Sequence, residues 1–511
     1  MAEQAATGTG QESAGAHGAP ETHGVTTVPG VPAVAALVDE GLGNSEYLVD
    51  LGDGRALAVD AGRDLRALRR AAAAYGLRVA FAADTHLHAD FLSGGVQLAA
   101  DDGARVLASA AGERDFPHTG LRDGDEVDLG GLRLRVIATP GHTGEHLAFL
   151  LLDGDRPLGV FTGGSLIVGS AARTDLVSPD RTVDLARAQY ASVQRLLTLP
   201  DDLSVWPTHG AGSLCSAPPG AARTTIIGRE RTTNPLLVTT DGSAYPAAAG
   251  EEAFVSRLLA GLGNYPTYFG RLGEANRRGP ALVPTPETPA RLGVDDVLAL
   301  MSIGAQVVDV RPVAAFAAGH VPGSVSNPLR AAFGTWLGWL TDPEQPIVVV
   351  RDATSQTDAD LDDVAWQALK VGYDNVVGEL DGGLARWRDA GLPVATTTVT
   401  DASGAATGIS DRQTTVLDVR QASEFAAGHL PGAVHVELGR LADPDTLASV
   451  PEGPVLVMCG HGERAMSAAS LLLAAGRTDV AVLAAGPDDL AAATGTALEN
   501  GATSAPAAAE Q

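Results

Sequence analysis

Short apolar runs alternate with polar turns along the N-terminal half of the chain. Five of them are LAVD (57–60), RVAFAAD (78–84), LRLRVIATP (132–140), LAFLLLD (147–153) and LSVWPTHG (203–210). Their length and their flanking Gly, Asp and Pro residues predict β-strands. The longer segments 64–76 and 182–198 predict helices between strands. We therefore expect an α/β fold of stacked layers, with polar clusters at the strand ends.

The C-terminal half contains an internal repeat. The segment DVRPVAAFAAGHVPGSV (309–325) matches DVRQASEFAAGHLPGAV (418–434) at a constant offset of 109 residues, with 11 of 17 positions identical. An apolar run precedes each copy, and a second run follows at 346–350 and 454–458. A duplication explains this pattern, and it predicts two α/β domains of about 100 residues each.

These patterns predict six segments along the 511-residue chain. They are a disordered tail (1–24), an α/β domain (25–245), a helical connector and linker (246–289), the first repeat domain (290–398), the second repeat domain (404–490) and a second disordered tail (491–511). The tails are rich in Gly, Ala and Glu, which cannot build a core. The linker ends in PTPETP (284–289), which is stiff by composition.

Charge and cysteine content narrow the possible partners. The net charge of −27 argues against nucleic acid, because phosphate binding needs clustered Lys and Arg. No run of 18 apolar residues and no signal-like N-terminal segment is found, so we expect a cytoplasmic protein without a membrane partner. The two cysteines, Cys215 and Cys459, are no disulfide framework. A homo-oligomer is left open.

A set of histidines follows the predicted strands. THLHADF (85–91) carries His86, His88 and Asp90, while TPGHTGEH (139–146) carries His142 and WPTHGAGS (206–213) carries His209. One such histidine alone would more often be a structural, hydrogen-bonded residue. Four histidines in Gly- or Pro-flanked turns favour a site for Zn or Fe, since imidazole suits both metals.

These motifs resemble the metallo-β-lactamase superfamily, in its glyoxalase II and persulfide dioxygenase branch. The resemblance implies an αββα sandwich and also covers segments 164–176 and 227–237. Two positions depart from the family pattern. Phe91 replaces a histidine of the second metal site, and Gly164 replaces the metal-binding aspartate of F-T-G-D. A two-metal hydrolase is therefore disfavoured.

The resemblance implies one divalent metal, with Fe(II) favoured and Zn as the alternative. His86 and His142 keep their family positions, and His88 is predicted to complete a three-histidine site. Asp90 and His209 are predicted to lie in a second shell or in a vestigial second metal site. Since Gly164 follows another glycine, we expect a side chain there to meet little steric resistance. Arg173 matches a substrate-binding arginine of the dioxygenases, although an ion pair with Asp175 is equally expected.

The second repeat contains a cysteine loop between a strand and a helix. The loop is predicted to comprise Cys459 as nucleophile, Arg464 as its cationic partner, and the persulfide loop Gly460, His461, Gly462 and Glu463. Backbone N–H groups and a helix N-terminus stabilise a thiolate. The pattern resembles the rhodanese family, which implies parallel sheets and sulfur transfer. The first repeat has Arg351 at the cysteine position, so we expect a scaffold or docking role for it.

Three functions follow from these resemblances. The first is metal-dependent oxidation of a low-molecular-weight thiol persulfide to sulfite, coupled to sulfur transfer through Cys459 with sulfite or thiosulfate as partner. The second is a Zn-dependent, glyoxalase II-like thioester hydrolase with a sulfurtransferase. The third is a metal-poor binding module that serves the sulfur carrier. Iron content and oxygen consumption separate the first two, and absence of metal favours the third.

Overall fold

The computed structural model describes residues 25–26, 34–215, 220–239, 241–243, 245, 249–283, 288–409 and 414–501. The predicted tail 1–24 lies outside these residues, as do 284–287 of the predicted linker. Among the described residues, none of the helices has the length and apolar character needed to cross a membrane.

The N-terminal domain is an α/β sandwich. Its strands are β1 (Val25–Thr26), β2 (Val34–Asp39), β3 (Asn44–Asp50), β4 (Arg55–Val59), β5 (Arg78–Ala83), β6 (Arg105–Ser109), β7 (Thr119–Leu121), β8 (Glu126–Asp128), β9 (Leu132–Ala138), β10 (Leu147–Asp153), β11 (Arg156–Gly163), β12 (Ser204–Pro207) and β13 (Thr225–Ile226). Its helices are α1 (Arg66–Ala74), α2 (Gly95–Asp102), α3 (Thr182–Leu196) and α4 (Ile227–Thr233). All five strands and both helices expected from the apolar pattern are present.

Two sheets face each other in this domain. One sheet has the order β1-β2-β3-β4-β5-β6-β7 and the other β13-β12-β11-β10-β9-β8. Alternate residues of both sheets, such as Tyr47, Phe149 and Phe161, form the buried core between them. Helices α1 and α2 cover the outer face of the first sheet, and α3 covers that of the second. The predicted αββα arrangement is confirmed.

The connector contains two helices, α5 (Gly250–Ala260) and α6 (Phe269–Arg278). Helix α5 packs on α3 through Phe254, which is fully buried with Tyr190 beside it. Helix α6 begins at Phe269 and buries Leu272 and Asn276. Helix α5 thus lies against the N-terminal domain, whereas α6 also shares a buried cluster with the first repeat.

The two repeats have the same layout. The first contains β14 (Ala290–Leu292), α7 (Val294–Ser302), β15 (Gln306–Asp309), α8 (Val313–Ala318), β16 (Val325–Ser326), α9 (Phe333–Leu340), β17 (Ile347–Val350), α10 (Asp358–Lys370), β18 (Val376–Leu380) and α11 (Gly383–Asp389). The second contains β19 (Thr398–Thr400), α12 (Ala402–Ile409), β20 (Thr415–Asp418), α13 (Ala422–Ala427), β21 (Val434–His435), α14 (Pro444–Ala448), β22 (Val455–Met458), α15 (Glu463–Ala474), β23 (Val480–Leu483) and α16 (Pro487–Thr494).

Each repeat forms a five-stranded parallel sheet. The orders are β14-β18-β17-β15-β16 and β19-β23-β22-β20-β21, which correspond strand for strand. This confirms the α/β domains with parallel sheets. The chain stays ordered beyond residue 490, because α16 runs to Thr494 and Glu499 pairs with His429. The described structure thus includes residues 491–501 of the predicted C-terminal tail, and residues 502–511 lie outside the described part.

The first repeat packs on both of its neighbours. Lys370 forms an ion pair with Asp39 at 2.5 Å, and the Thr335 hydroxyl donates to the carbonyl of Gly41 at 3.0 Å. Toward the second repeat, Trp339 and Leu340 share a core with α15. The first repeat, which contains no cysteine, therefore lies between the N-terminal domain and the second repeat and contacts both.

Candidate metal centre and sulfur-transfer loop

Three buried imidazoles meet between the two sheets of the N-terminal domain. His86, His142 and His209 each offer a ring nitrogen, and these atoms lie within 4.8 Å of one another. The Nε2 atoms of His86 and His209 are 3.4 Å apart. All three residues follow strands, on the loops after β5, β9 and β12. Their convergence is the geometry that a single metal ion requires.

Hydrogen bonds leave Nε2 unprotonated on two of these rings. The Nδ1 of His142 lies 2.6 Å from the carbonyl oxygen of Arg173, which accepts only, so Nδ1 carries the proton. The Nδ1 of His209 lies 3.0 Å from Asn44 Oδ1, another acceptor. A partner on Nδ1 that fixes the tautomer is the usual feature of metal-binding histidines.

His86 has a longer relay. The Thr85 hydroxyl donates to the Asp60 carboxylate at 2.7 Å, and its oxygen therefore accepts from Nδ1 of His86 at 2.8 Å. Asp60 also accepts from the Thr85 amide at 2.7 Å and from the Thr208 hydroxyl. All three rings thus carry their proton on Nδ1 and leave Nε2 free as a ligand atom.

The electrostatics favour neutral rings in this cluster. Burial, with the neighbouring imidazoles, lowers the pKa of His86 well below its usual value. Burial likewise lowers the pKa of His142 and of His209 to about 3. Metals bind neutral imidazole, so these three side chains are in the state that a metal needs. The donor set fits one divalent cation such as Fe(II) or Zn.

His88 lies outside this triad. Its Nε2 is 3.2 Å from Asp60 Oδ1, and its ring stacks on Phe91 with centroids 4.1 Å apart. Burial lowers the pKa of His88, but the carboxylates of Asp60, Asp84 and Asp90 together raise it above its usual value. Among the described residues, His88 belongs to two further groups of potential ligands, Asp60–His86–His88 and His88–Asp90–His209, whose ligand atoms also lie within 4.8 Å of one another. The ligand set itself stays a prediction.

Asp90 lies beside the triad. Its Oδ2 accepts from Asn44 at 2.6 Å and is 3.4 Å from His209 Nδ1. Its Oδ1 has no hydrogen-bond partner although it is buried, and the same holds for His88 Nδ1. Buried polar atoms usually find a partner, so this edge of the pocket has room for a polar group or a cation. Cys215 lies 4.0 Å from Asp90 and is buried, as expected.

Gly164 departs from the expectation of free space. A Cβ atom there would lie 2.5 Å from His142 Cδ2 and 3.0 Å from the Cβ of Ala172. Its amide donates to Nε2 of His146 at 3.0 Å. The predicted lack of steric resistance is therefore wrong, because the His142 ring occupies the volume that an aspartate would need.

Sequence reasoning missed three supporting residues, Asp60, Asn44 and His146. His146 is in the quoted TPGHTGEH motif, stacks on His86 at 4.9 Å and lies within hydrogen-bond distance of the Thr139 hydroxyl. Its presence in that motif was the available signal. Asn44 is the first residue of β3 and Asp60 follows β4, and neither is in a motif that would single it out.

Arg173 is fully engaged by protein groups. Its guanidinium donates to both carboxylate oxygens of Asp175 at 2.8 Å. It also donates to the carbonyls of Leu214 and Gly263, and Tyr265 lies under it at 4.4 Å. The ion pair that the sequence held equally open is thus present. A substrate carboxylate would have to displace Asp175, and the substrate role of Arg173 stays a prediction.

The cysteine loop of the second repeat has the expected cradle. Cys459 follows β22 and is buried, and the Gly462 amide donates to its Sγ at 3.1 Å. Gly462 has a φ of +95°, a conformation that glycine adopts readily, and it immediately precedes α15. The sulfur therefore lies at a helix N-terminus with an N–H aimed at it, which stabilises an anion.

Charged groups surround this loop in pairs. Arg464, predicted as the cationic partner of Cys459, donates to both oxygens of Glu424 at 2.6 and 2.8 Å. Glu463 pairs with Arg330 of the first repeat at 2.8 Å. His461 is exposed and Gly460 is half-buried. The first repeat thus contacts the cysteine loop of the second repeat directly.

Arg351 fills the corresponding loop of the first repeat. It is bound to Glu379 on β18, and it also donates to Asp358 at 2.6 Å and to the carbonyl of Gln356 at 2.6 Å. Arg351 and Glu379 are both buried. No thiol is present in residues 351–356, and an internal ion pair takes its place.

Comparison with known proteins defines the class. A rhodanese-like domain model matches residues 293–390 and again 401–493. Among solved structures, a metallo-β-lactamase from Staphylococcus aureus subsp. aureus COL superposes with a TM-score of 0.58 at 28% identity, covering 68% of this chain and 98% of that one. The protein is therefore a metallo-β-lactamase-fold domain followed by two rhodanese-like domains.

Curated relatives narrow this further. Human persulfide dioxygenase ETHE1 is 31% identical over 165 residues, which are 32% of this chain and 58% of that protein. A hydroxyacylglutathione hydrolase of Brucella anthropi is 32% identical over 148 residues, 29% of this chain and 53% of that protein. The chain thus spans a little over half the length of these relatives. Over this part of its length the chain is similar both to a persulfide dioxygenase and to a hydroxyacylglutathione hydrolase.

Proposed function

We propose that this protein oxidises a low-molecular-weight thiol persulfide in the N-terminal pocket and transfers sulfane sulfur through Cys459. The observation that supports this most is the triad of His86, His142 and His209, whose ligand nitrogens lie within 4.8 Å of one another. The sequence similarity to a persulfide dioxygenase supports the same sulfur chemistry, and so does the presence of two rhodanese-like domains.

Fe(II) is the favoured metal, and when bound it would supply the means to activate dioxygen beside the persulfide. In the net reaction one persulfide, one dioxygen and one water give one thiol, one sulfite dianion and two protons. His86, His142 and His209 would hold the metal, while Thr85, Arg173 and Asn44 keep their Nδ1 atoms protonated. Burial of all three rings keeps bulk water away from the reacting sulfur.

Sulfur transfer would take place at Cys459. Attack of sulfite on the outer sulfur of the Cys459 persulfide forms the sulfur–sulfur bond of thiosulfate, and the Cys459 thiolate leaves with the electron pair. The Gly462 amide, 3.1 Å from Sγ, stabilises that leaving thiolate. Sulfite made in one domain would thus be consumed in another domain of the same chain.

The test combines metal analysis with oxygen uptake. Wild type from medium supplemented with iron and zinc should hold at most one tightly bound equivalent of metal and consume oxygen with glutathione persulfide. His209→Ala should lose metal and oxygen uptake, whereas His118→Ala, in the same domain but outside the cluster, should keep both. Two bound equivalents, or full metal retention in His209→Ala, would overturn the proposed centre.

A zinc-dependent thioester hydrolase is the second candidate, and the identity to hydroxyacylglutathione hydrolase favours it. Phe91 is buried among apolar side chains of the connector and the first repeat, where a second-site histidine would be needed. Zinc in place of iron, with thioester hydrolysis and no oxygen uptake, would establish this alternative. A chain without any metal would leave the binding-module hypothesis.

A further inference from the structure

The ligand loop is held by a residue from outside its own domain. Residues 86–93 contain His86, His88 and Asp90 and pass beneath helix α6 of the connector. Asn276 on α6 is fully buried. Its Oδ1 accepts from the Ser93 amide at 2.8 Å. Its Nδ2 donates to the carbonyls of His88 at 2.7 Å and of Phe91 at 2.8 Å.

These three bonds use the hydrogen-bonding capacity of the amide almost completely. Nδ2 has two protons and both are donated, one to each carbonyl. The carbonyls of His88 and Phe91 come from a segment without regular secondary structure, and Ser93 forms an isolated bridge with Gly62. Each buried group left without a partner would cost about 1–3 kcal/mol. One side chain therefore satisfies three buried backbone groups between His88 and Ser93.

Further contacts act on the same segment. The Leu92 amide donates to the carbonyl of Lys370 in the first repeat at 2.8 Å. Arg114 donates to the carbonyl of His86 at 3.3 Å and lies 3.3 Å from the Asp84 carboxylate. Phe91 lies in a buried cluster with Leu272 of α6 and residues of the first repeat. The position of residues 86–93 thus depends on how the connector packs against the N-terminal domain.

We propose that Asn276 is a positioning residue for the metal centre, because it fixes the loop that presents His86. This inference rests on the proposed metal site and goes beyond it, since it makes metal affinity depend on the connector helix. Residues that orient ligands through a second layer of bonds typically change metal affinity about 10- to 100-fold.

The experiment is a Co(II) titration of metal-free full-length protein, followed by visible absorption. Asn276→Leu, which keeps the volume and loses every bond, should raise the Co(II) dissociation constant about 10- to 100-fold and alter the absorption bands. Asn276→Asp keeps the acceptor for Ser93 but sets a carboxylate oxygen against the carbonyls of His88 and Phe91, so the dissociation constant should rise at least as much. Asn264→Leu is the matched control, because Asn264 is also in the connector but bonds Glu437 at 2.6 Å.

Melting of each metal-free variant separates positioning from folding. A purely structural role would lower the melting temperature of Asn276→Leu and Asn276→Asp and leave the Co(II) dissociation constant of the folded fraction at the wild-type value; that result would overturn the inference alone. If Asn276→Leu does not fold, the constant and spectrum of Asn276→Asp decide. Absence of Co(II) binding by wild type would overturn the proposed metal site and the inference with it.

Discussion

The two rhodanese-like repeats differ in the loop that follows the corresponding strand, which is β17 in the first repeat and β22 in the second. In the first, Arg351 follows β17 and turns inward to bind Glu379. Helix α10 then begins after Thr357, whose hydroxyl accepts from the Asp360 amide. In the second, Cys459 follows β22 and helix α15 begins after a left-handed Gly462. The first loop satisfies its own helix start, whereas the second directs an N–H at a sulfur atom.

This difference shows how one fold separates support from chemistry. The first repeat packs against the N-terminal domain through Lys370 and against the second repeat through Trp339. It also places Arg330 on Glu463 at the start of α15. The first repeat is packed between two neighbouring domains. Its loop contains an internal ion pair where the second repeat has a reactive thiol, which agrees with a supporting role.

The largest expected effect is on sulfur loading. After incubation with thiosulfate, wild type should gain the mass of one sulfur atom, and Cys459→Ser should gain none, because the first repeat has no thiol in its loop. Intact-mass spectrometry measures this. Cys215→Ser is the control and should load like wild type, since burial raises the pKa of the Cys215 thiol well above its usual value. Sulfur retained on Cys459→Ser would contradict the comparison.

The next effect is on stability. Arg351→Met leaves Glu379 buried without its partner, which should lower the free energy of unfolding by about 3–5 kcal/mol in urea. Arg464→Met in the second repeat is the matched variant. Its partner Glu424 has a side chain that is 39% exposed, against 4% for Glu379, so a loss of only about 1 kcal/mol is expected. If the two variants lose the same free energy of unfolding, the burial of the ion pair does not distinguish the two loops. Arg351→Met combined with Glu379→Leu should regain most of the stability.

A smaller effect should distinguish two glycines of the cysteine loop. Gly462→Ala places a Cβ in the left-handed region at a φ of +95° and should cost about 1–2 kcal/mol. It should also slow sulfur loading, because its amide would move from Sγ. Gly460→Ala meets only Arg464 Nη2, at 3.8 Å, and should load at the wild-type rate. Stopped-flow loading rates compare the two, and indistinguishable rates would argue against the Gly462 amide as a stabilising group.

The smallest expected effect is on the pH dependence of stability. It involves Glu46, which lies where the N-terminal domain contacts the first repeat. Glu46 accepts from the Gly62 amide at 3.1 Å and is near the Lys370–Asp39 pair. Withdrawal from water, with Asp64 and Asp39 nearby, raises its pKa from 4.5 to about 8. The unfolded chain therefore loses this proton at lower pH than the folded one. Stability should fall as pH rises between those values, by about 1 kcal/mol after screening by water.

Glu46→Gln removes that titration and keeps an acceptor for Gly62. Urea unfolding at pH 5 and pH 8 should show a smaller decline for the variant than for wild type. The same decline in both proteins would assign the pH dependence to another group.

Much of the fold follows from local pattern. The strands at 78–83 and 147–153 agree with apolar runs, and the repeat offset of 109 residues carries β15 onto β20 residue for residue. The pairing of Glu424 with an arginine was also predictable. The contact of His88 Nε2 with Asp60 Oδ1 at 3.2 Å was not, because Asp60 follows a different strand.

The sequence by itself determined the layered architecture, the duplication, the histidine-bearing loops and the place of Cys459, because each is written in short-range spacing. Only the tertiary structure decided how distant segments meet. Asn44 bonds His209 across 165 positions, and Asn276 bonds His88 across 188. It also showed that His142 fills the space beside Gly164. Such contacts depend on the packing of whole elements, and a periodic pattern carries no information about which remote side chain completes a buried hydrogen bond.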